Sequence, residues 1–192
     1  MKQLLAVKWR LLPLLLAAVI LAFPFVRDIW TRNRVLSSAK AAEASLRQTG
    51  IAKIEGTPVR LLIPSLSIDL PVVPQSYSPV IKTWQVAPGL ANYAAESALA
   101  NNFKGETLLY GHNNRSVFGP VLKMKSGDVA YVYTDNGHIF KYSFESSRDI
   151  APTRTDIFSE MAESPAGLRL VTCDGPNFEY RRVASLKLLQ AT

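Results

Sequence analysis

Residues 129–144 read as a β-hairpin, and no other stretch limits the possible folds of this chain so firmly. Val129, Tyr131 and Tyr133 alternate with Ala130, Val132 and Thr134, and Phe140, Tyr142 and Phe144 alternate through the return. Period-two alternation sorts side chains onto opposite faces of a sheet, and Asn136-Gly137 accepts the positive φ of a tight hairpin turn. From Thr57 onward the chain keeps this texture, with short β-like runs punctuated by Pro and Gly. Val59–Ile63, Ser67–Val73, the weaker Thr83–Val86 and Glu106–Gly111 precede the hairpin. Pro64 and Pro71 push the first two towards sheet edges or bulges. Gly89 to Phe103 reads as loop with room for a short helix, and Val117–Met124 as containing a helical turn. Thr155-Asp156 is placed to cap a short helix reaching Met161. Two further runs, Leu168–Cys173 and Arg181–Leu188, bring the strands to eight, which predicts a mainly β fold, an eight-stranded closed or partly closed barrel with short helices.

Ahead of Thr57 the chain is different in kind. Leu11 to Val26 is an apolar, charge-free run of 16 residues between Arg10 and Arg27. As a helix it covers only about 24 Å of a roughly 30 Å hydrocarbon core, but Trp9 and Trp30 stand about 31 Å apart, the separation of interfacial aromatics. Residues 1–31 are therefore expected to form a membrane anchor. A cleaved signal peptide is the alternative, with Ala39-Lys40-Ala41 as an A-x-A pattern lying far past the apolar run. Val35, Leu36, Ala39, Ala42 and Leu46 near helical spacing predict a helix stopped at Gly50, so residues 32–56 read as a helical stalk and 57–192 as the folded domain.

The net charge of +7 sits almost wholly in this N-terminal part. Residues 1–56 carry nine Lys/Arg against three Asp/Glu, and residues 57–192 thirteen against twelve. A nearly neutral domain behind a basic leader favours a membrane surface over nucleic acid, which needs a basic face on the domain itself. A single cysteine excludes an internal disulfide, and two histidines make a Cys/His zinc cluster a poor expectation; neither metal nor cofactor is called for.

That one cysteine closes the run Leu168-Arg169-Leu170-Val171-Thr172-Cys173 and is followed by Asp174 and the turn-forming pair Gly175-Pro176. Alone, a lone cysteine is more often a small buried hydrophobe. A second apolar run, Glu106 to Tyr110, ends in Gly111-His112, and Arg181-Arg182 opens the last run. Gly-His at one strand end, Leu-x-Thr-Cys at another and an arginine opening the next, in that order on a β-rich domain, resemble the sortases, the cysteine transpeptidases of Gram-positive-type cell surfaces.

The resemblance spans residues 57–190 together with the anchor. It implies Cys173 as nucleophile, His112 as acid/base and an arginine that holds a carbonyl or oxyanion, with the backbone N–H after Thr172, or the Thr172 hydroxyl, as a further donor. These roles suit the residue types: a thiolate attacks carbonyls, imidazole titrates near neutrality and a guanidinium stays charged without competing for protons. Registering the last strand on Leu186-Lys187-Leu188 favours Arg181, whereas a position directly before the apolar run favours Arg182. Adjacent strand residues face opposite ways, so only one can face Cys173.

The other residues near these motifs carry plainer expectations. His138, just past Asn136-Gly137, reads as a solvated turn residue, Arg169 as solvent-facing, and Asn113 and Asn114 as loop geometry. The resemblance further implies cleavage of a Leu-Pro-x-Thr-Gly-like signal between Thr and Gly. The acyl group then passes to an amine acceptor, a peptidoglycan precursor or protein, on an extracellular domain held by a single membrane pass. Its clients would be surface proteins with a C-terminal sorting signal. No Asp-Pro-aromatic lid motif precedes the barrel, which points to a housekeeping or anchoring type over a pilin-polymerising one. A hydrolytic cysteine peptidase of the same fold and an anchored β-barrel binding module are the rival functions.

Overall fold

A computed structural model describes residues 23, 26–46, 52–78, 83–154 and 156–192. The apolar run 11–26 lies outside them except for Phe23 and Val26, as do Gly50 and Thr155. No helix among the described residues is long and apolar enough to cross a membrane.

Eight strands among the described residues close a barrel. They are β1 Pro58–Ile63, β2 Ile68–Gln75, β3 Ala91–Ala94, β4 Glu106–Tyr110, β5 Val129–Thr134, β6 Ile139–Ile150, β7 Gly167–Asp174 and β8 Tyr180–Ala191. Around the barrel the order is β6-β8-β7-β4-β3-β2-β1-β5, and β5 returns to β6 through the expected hairpin. The β2–β3 and β4–β7 pairs are parallel and the others antiparallel. The prolines of β2 fit because the strand changes partner midway. Ile68–Pro71 pairs with β1 and Val72–Gln75 with β3, so Pro71 closes one ladder where the strand leaves it.

One strand differs from expectation. Ala91–Ala94, expected as loop with a short helix, is a fully buried barrel strand, and Thr83–Trp84 forms only a two-residue bridge with Tyr77–Ser78 outside the barrel. Ala and Asn are weak strand formers, and burial decides where propensity does not. Asn92 is wholly buried because its side chain bonds the Ala87 N–H and the Tyr110 carbonyl.

Both faces of the hairpin are used. Ala130, Val132, Phe140 and Tyr142 fill the barrel interior with Leu61, Leu109, Leu168, Leu170 and Leu186. The outward set, including Tyr131 and Ile139, lies under the helix α1 that spans 26–46. Val35, Ala39, Ala42 and Leu46 fall on one stripe of that helix, at the spacing that buries one face. They seat it on Leu62, Tyr131 and Ile139. Arg34 and Arg60 share the Asp69 carboxylate, which they hold below the usual carboxylate range, Arg60 foremost through its hydrogen bond. Lys141 and the Tyr131 hydroxyl both bond Glu43. Over these residues the expected stalk is not a free spacer but a layer of the folded domain. Leu46→Ala, at a fully buried position, is expected to cost roughly 2–4 kcal/mol, visible as a lower urea midpoint. An unchanged midpoint would mean that α1 is not seated on the barrel.

A short 3-10 turn, Gly119–Lys123, and a short helix α2, Ile157–Glu163, complete the fold where helical turns were expected. The Asp156 side chain does not cap α2; its carboxylate is held by Arg154.

Candidate active site

The barrel brings the three sequence motifs to one end of three adjacent strands. β4 and β7 run parallel side by side, with Val171 in register with Tyr110, so Gly111-His112 and Thr172-Cys173 leave the sheet together. Two bonds staple these ends: the Gly111 N–H donates to the Val171 carbonyl at 3.2 Å, and the Thr172 hydroxyl donates to the Gly111 carbonyl at 2.9 Å. Gly111 is required by space, since a Cβ there would sit 2.9 Å from Val117 Cγ1 and 3.0 Å from Phe118 Cδ1. Beyond it the His112 carbonyl accepts from the Asn114 and Phe118 N–H groups, which turns the chain out and leaves His112 exposed. Asn114 serves this loop, as expected, through its side chain on Ser116 N–H and its carbonyl on Val117 and Gly119.

Antiparallel β8 lies on the other side of β7, with Cys173 in register with Arg181 and Thr172 with Arg182. Directly opposed residues share a face. Arg181 therefore stands beside Cys173 on the outer surface of the barrel, in line with Val171 and Val183. Arg182 falls on the other face and is held by Asp149 and Asp174 at 2.6 and 2.7 Å. The Arg181 guanidinium donates to the Phe178 and Tyr180 carbonyls at 2.9 and 3.1 Å, and no carboxylate pairs with it among the described residues.

His112, Cys173 and Arg181 line one groove of about 220 Å³. Thr172 lines it as well, but with its hydroxyl proton given to Gly111 it acts as a tie between strands; the donor expected of that hydroxyl is already committed. Thr172→Val should cost about 1–2 kcal/mol by orphaning a buried carbonyl, with a several-fold fall in kcat as the His112 strand end loosens. A thermal melt and a rate measurement check it, and an unaltered kcat would deny the tie any role in the site.

Apart from Arg154, the rest of the groove is mostly apolar, with Trp84, Val86, Leu108, Tyr110, Ile150, Ile157, Phe158 and Val171 among its lining. None of these was singled out from the sequence. The wall is assembled from the bridge before β3, from β4, from the end of β6 and from α2, segments whose proximity no local pattern encodes. Burial pushes the Tyr110 hydroxyl far above its ordinary value, and that hydroxyl donates to the Gln85 carbonyl at 2.6 Å. At the rim, Arg154 bonds Asp156 and Glu160.

Two other side chains lie apart from the groove. His138 is half-buried with its Nδ1 3.0 Å from the Thr192 carbonyl, so it is less solvated than its turn position implied. Arg169, expected to face solvent, is folded down onto Glu106 and Ser185 at 2.8 and 2.7 Å. Glu106 is itself buried, and a buried carboxylate left without a partner is costly, which draws Arg169 down onto it.

Comparison with known proteins gives one family. The family model described as a Sortase domain matches residues 61–188. Sortase A of Listeria monocytogenes is 30% identical over 92 residues, covering 46% of this chain and 40% of that protein. Sortase A of Bacillus anthracis is 24% identical over 143 residues, covering 72% and 63%. Each match thus spans less than two thirds of the relative's own length. The crystal structure of Listeria monocytogenes sortase A superposes with a TM-score of 0.55 at 26% identity, over 70% of this chain and 89% of that one.

Proposed function

The chain belongs to the sortase family, and on that premise we propose that it is a cysteine transpeptidase acting on a Leu-Pro-x-Thr-Gly-like sorting signal. The observation that carries the proposal is the convergence of Cys173, His112 and Arg181 on one groove from the ends of β7, β4 and β8. The Cys173 thiolate attacks the Thr–Gly carbonyl carbon, and Arg181, opposed to Cys173 across the β7–β8 ladder, stabilises the oxyanion. His112 gives its proton to the departing Gly amine as the C–N bond breaks, leaving a thioester on Cys173. An acceptor amine then attacks that thioester, His112 takes the proton released, and the thiolate leaves as the new amide forms. The cycle consumes no oxidant, metal or cofactor.

The clients are surface proteins bearing the signal, and the acceptor is the amine of a peptidoglycan precursor or protein. The domain works outside the cell, held by the apolar run 11–26. In support, Phe23, Val26, Ile29 and Trp30 are large apolar side chains left exposed where that run meets α1, as interfacial residues are. Cleavage of a signal peptide with and without an added amine tests the transpeptidase reading. Transpeptidation gives a ligated product whose yield rises with amine. Free acid alone, at every amine concentration, would make the protein a hydrolase.

A further inference from the structure

Among the described residues only Ser67 and Phe178 take a positive φ without being glycine. Ser67, at 55°, ends a 3-10 turn, where a left-handed residue is a routine cap. Phe178, at 58°, ends no helix. A Cβ makes the left-handed region costly, and a bulky aromatic there is an outlier that its surroundings must enforce. Phe178 lies in the turn from β7 to β8, five residues past Cys173 and three before Arg181.

The turn is tied at several points. The Gly175 N–H donates to the Asp174 carboxylate at 2.8 Å, and the Phe178 N–H to the Gly175 carbonyl at 3.1 Å. Glu179 folds back over Gly175, where a Cβ would lie 2.6 Å from its carboxyl group, and accepts from the Asn177 N–H at 2.8 Å. The pairing of Asp174 with Tyr180 closes the ladder beneath. Phe178 itself is 55% exposed and does not line the groove.

What that conformation delivers is a carbonyl. The Phe178 carbonyl accepts from Arg181 Nη1 at 2.9 Å, and the Tyr180 carbonyl from the same nitrogen at 3.1 Å. Nη1 carries two hydrogens, so both are spent, while the N–H groups of Nε and Nη2 stay uncommitted among the described residues. Carbonyls orient a guanidinium without neutralising its charge, as a carboxylate would. The two acids at the turn are spent elsewhere, Glu179 on the Asn177 N–H and Asp174 on Arg182.

We propose that Phe178 is a positioning residue for the oxyanion step: its left-handed backbone, rather than its ring, aims the carbonyl that orients Arg181 beside Cys173. This inference rests on the transpeptidase reading of Cys173. An arginine free to sample its rotamers has to be ordered during each attack on the substrate carbonyl, whereas one already held by two carbonyls does not. The conformational cost at residue 178 is met once, on folding.

The test uses the full chain, a Leu-Pro-x-Thr-Gly peptide without acceptor amine, and the rate at which acyl adduct forms on Cys173. Phe178→Val places a β-branched residue where φ must be positive, so the carbonyl should leave Arg181. Acylation should then slow by about 10-fold or more at saturating peptide, with the half-saturating concentration little changed. Phe178→Asn removes the ring but tolerates the left-handed region, and should keep the rate within about three-fold of the parent. In an Arg181→Ala background, Phe178→Val should cost no more than about two-fold further, because the residue it acts through is gone. Alkylation of Cys173 by iodoacetamide should be alike in all of them. Phe178→Thr, also β-branched, carries the test if Phe178→Val does not fold. A Phe178→Asn protein as slow as Phe178→Val would assign the effect to the ring. An undiminished rate in Phe178→Val, or a full second loss in the Arg181→Ala background, would likewise overturn the positioning role and leave the transpeptidase standing. A parent that forms no adduct overturns both.

Discussion

Cys173→Ala is expected to abolish turnover of a sorting-signal peptide, with kcat falling by at least about 10⁴-fold and no acyl adduct at any time point. The size of the loss follows from the proposed role: without the sulfur no thioester can form, and the remaining arginine and histidine have no nucleophile to assist. Stability should barely move. Cys173 is half-exposed at the outer face of β7, so truncation to Ala removes little buried area. Turnover kinetics beside a thermal melt separate the two effects. Residual activity within about 100-fold of the parent, from a protein that melts normally, would remove Cys173 from the chemistry and return it to the part of a small strand-end hydrophobe.

The second large effect distinguishes two neighbouring arginines. Arg181→Ala should lower kcat/KM by about 10²–10³-fold, the usual loss on deleting one oxyanion donor. Arg182→Ala should leave kcat/KM within about three-fold and instead lower stability by on the order of 1 kcal/mol, because partly exposed ion pairs contribute little. The contrast follows from register alone. Arg181 opposes Cys173 across the β7–β8 ladder, whereas Arg182 opposes Thr172 and is spent on Asp149 and Asp174. Parallel kinetics and urea unfolding of the two variants decide the matter. The reverse pattern, with Arg182→Ala inactive and Arg181→Ala active, would mean that the catalytic face of β8 has been misassigned.

The same pair marks how far the sequence could be read. Gly111-His112 and Leu170-Val171-Thr172-Cys173 were legible because each is a short local pattern: an apolar run, a strand end, a reactive group. Which arginine faces the thiol was not, because a one-residue change of register exchanges the faces of a strand and β8 is flanked by bulge-bearing β6. The hairpin of β5 and β6 was legible from Asn136-Gly137 and its alternation. Strand β3 was not, since Ala91, Asn92 and Ala94 have little strand propensity of their own and are held by what surrounds them.

Long-range contacts account for the other differences. Arg169 reads as solvent-facing in the sequence because Glu106, its partner, lies 63 positions earlier. The helical stripe of Val35, Ala39, Ala42 and Leu46 was visible in part, but not that Leu62, Tyr131 and Ile139 would receive it. The groove wall is the extreme case, with Trp84 and Phe158 meeting across 74 residues. Local chemistry announced the candidate reacting groups; the groove wall around them came only with the fold.

The seating of α1 bears on how the protein is best prepared. A domain trimmed at residue 57 would uncover the outer face of Leu62, Tyr131 and Ile139, so a soluble form should begin at 26 and keep the helix. With that protein, the most direct measurement is the intact mass during reaction with a Leu-Pro-x-Thr-Gly peptide while acceptor amine is withheld. A mass increase equal to the acyl fragment, mapped to Cys173 and discharged into a ligated product when amine is added, is the predicted result. Peptide cleaved with no adduct on Cys173 even under rapid quench, or no reaction across a panel of such signals, would contradict the transpeptidase account.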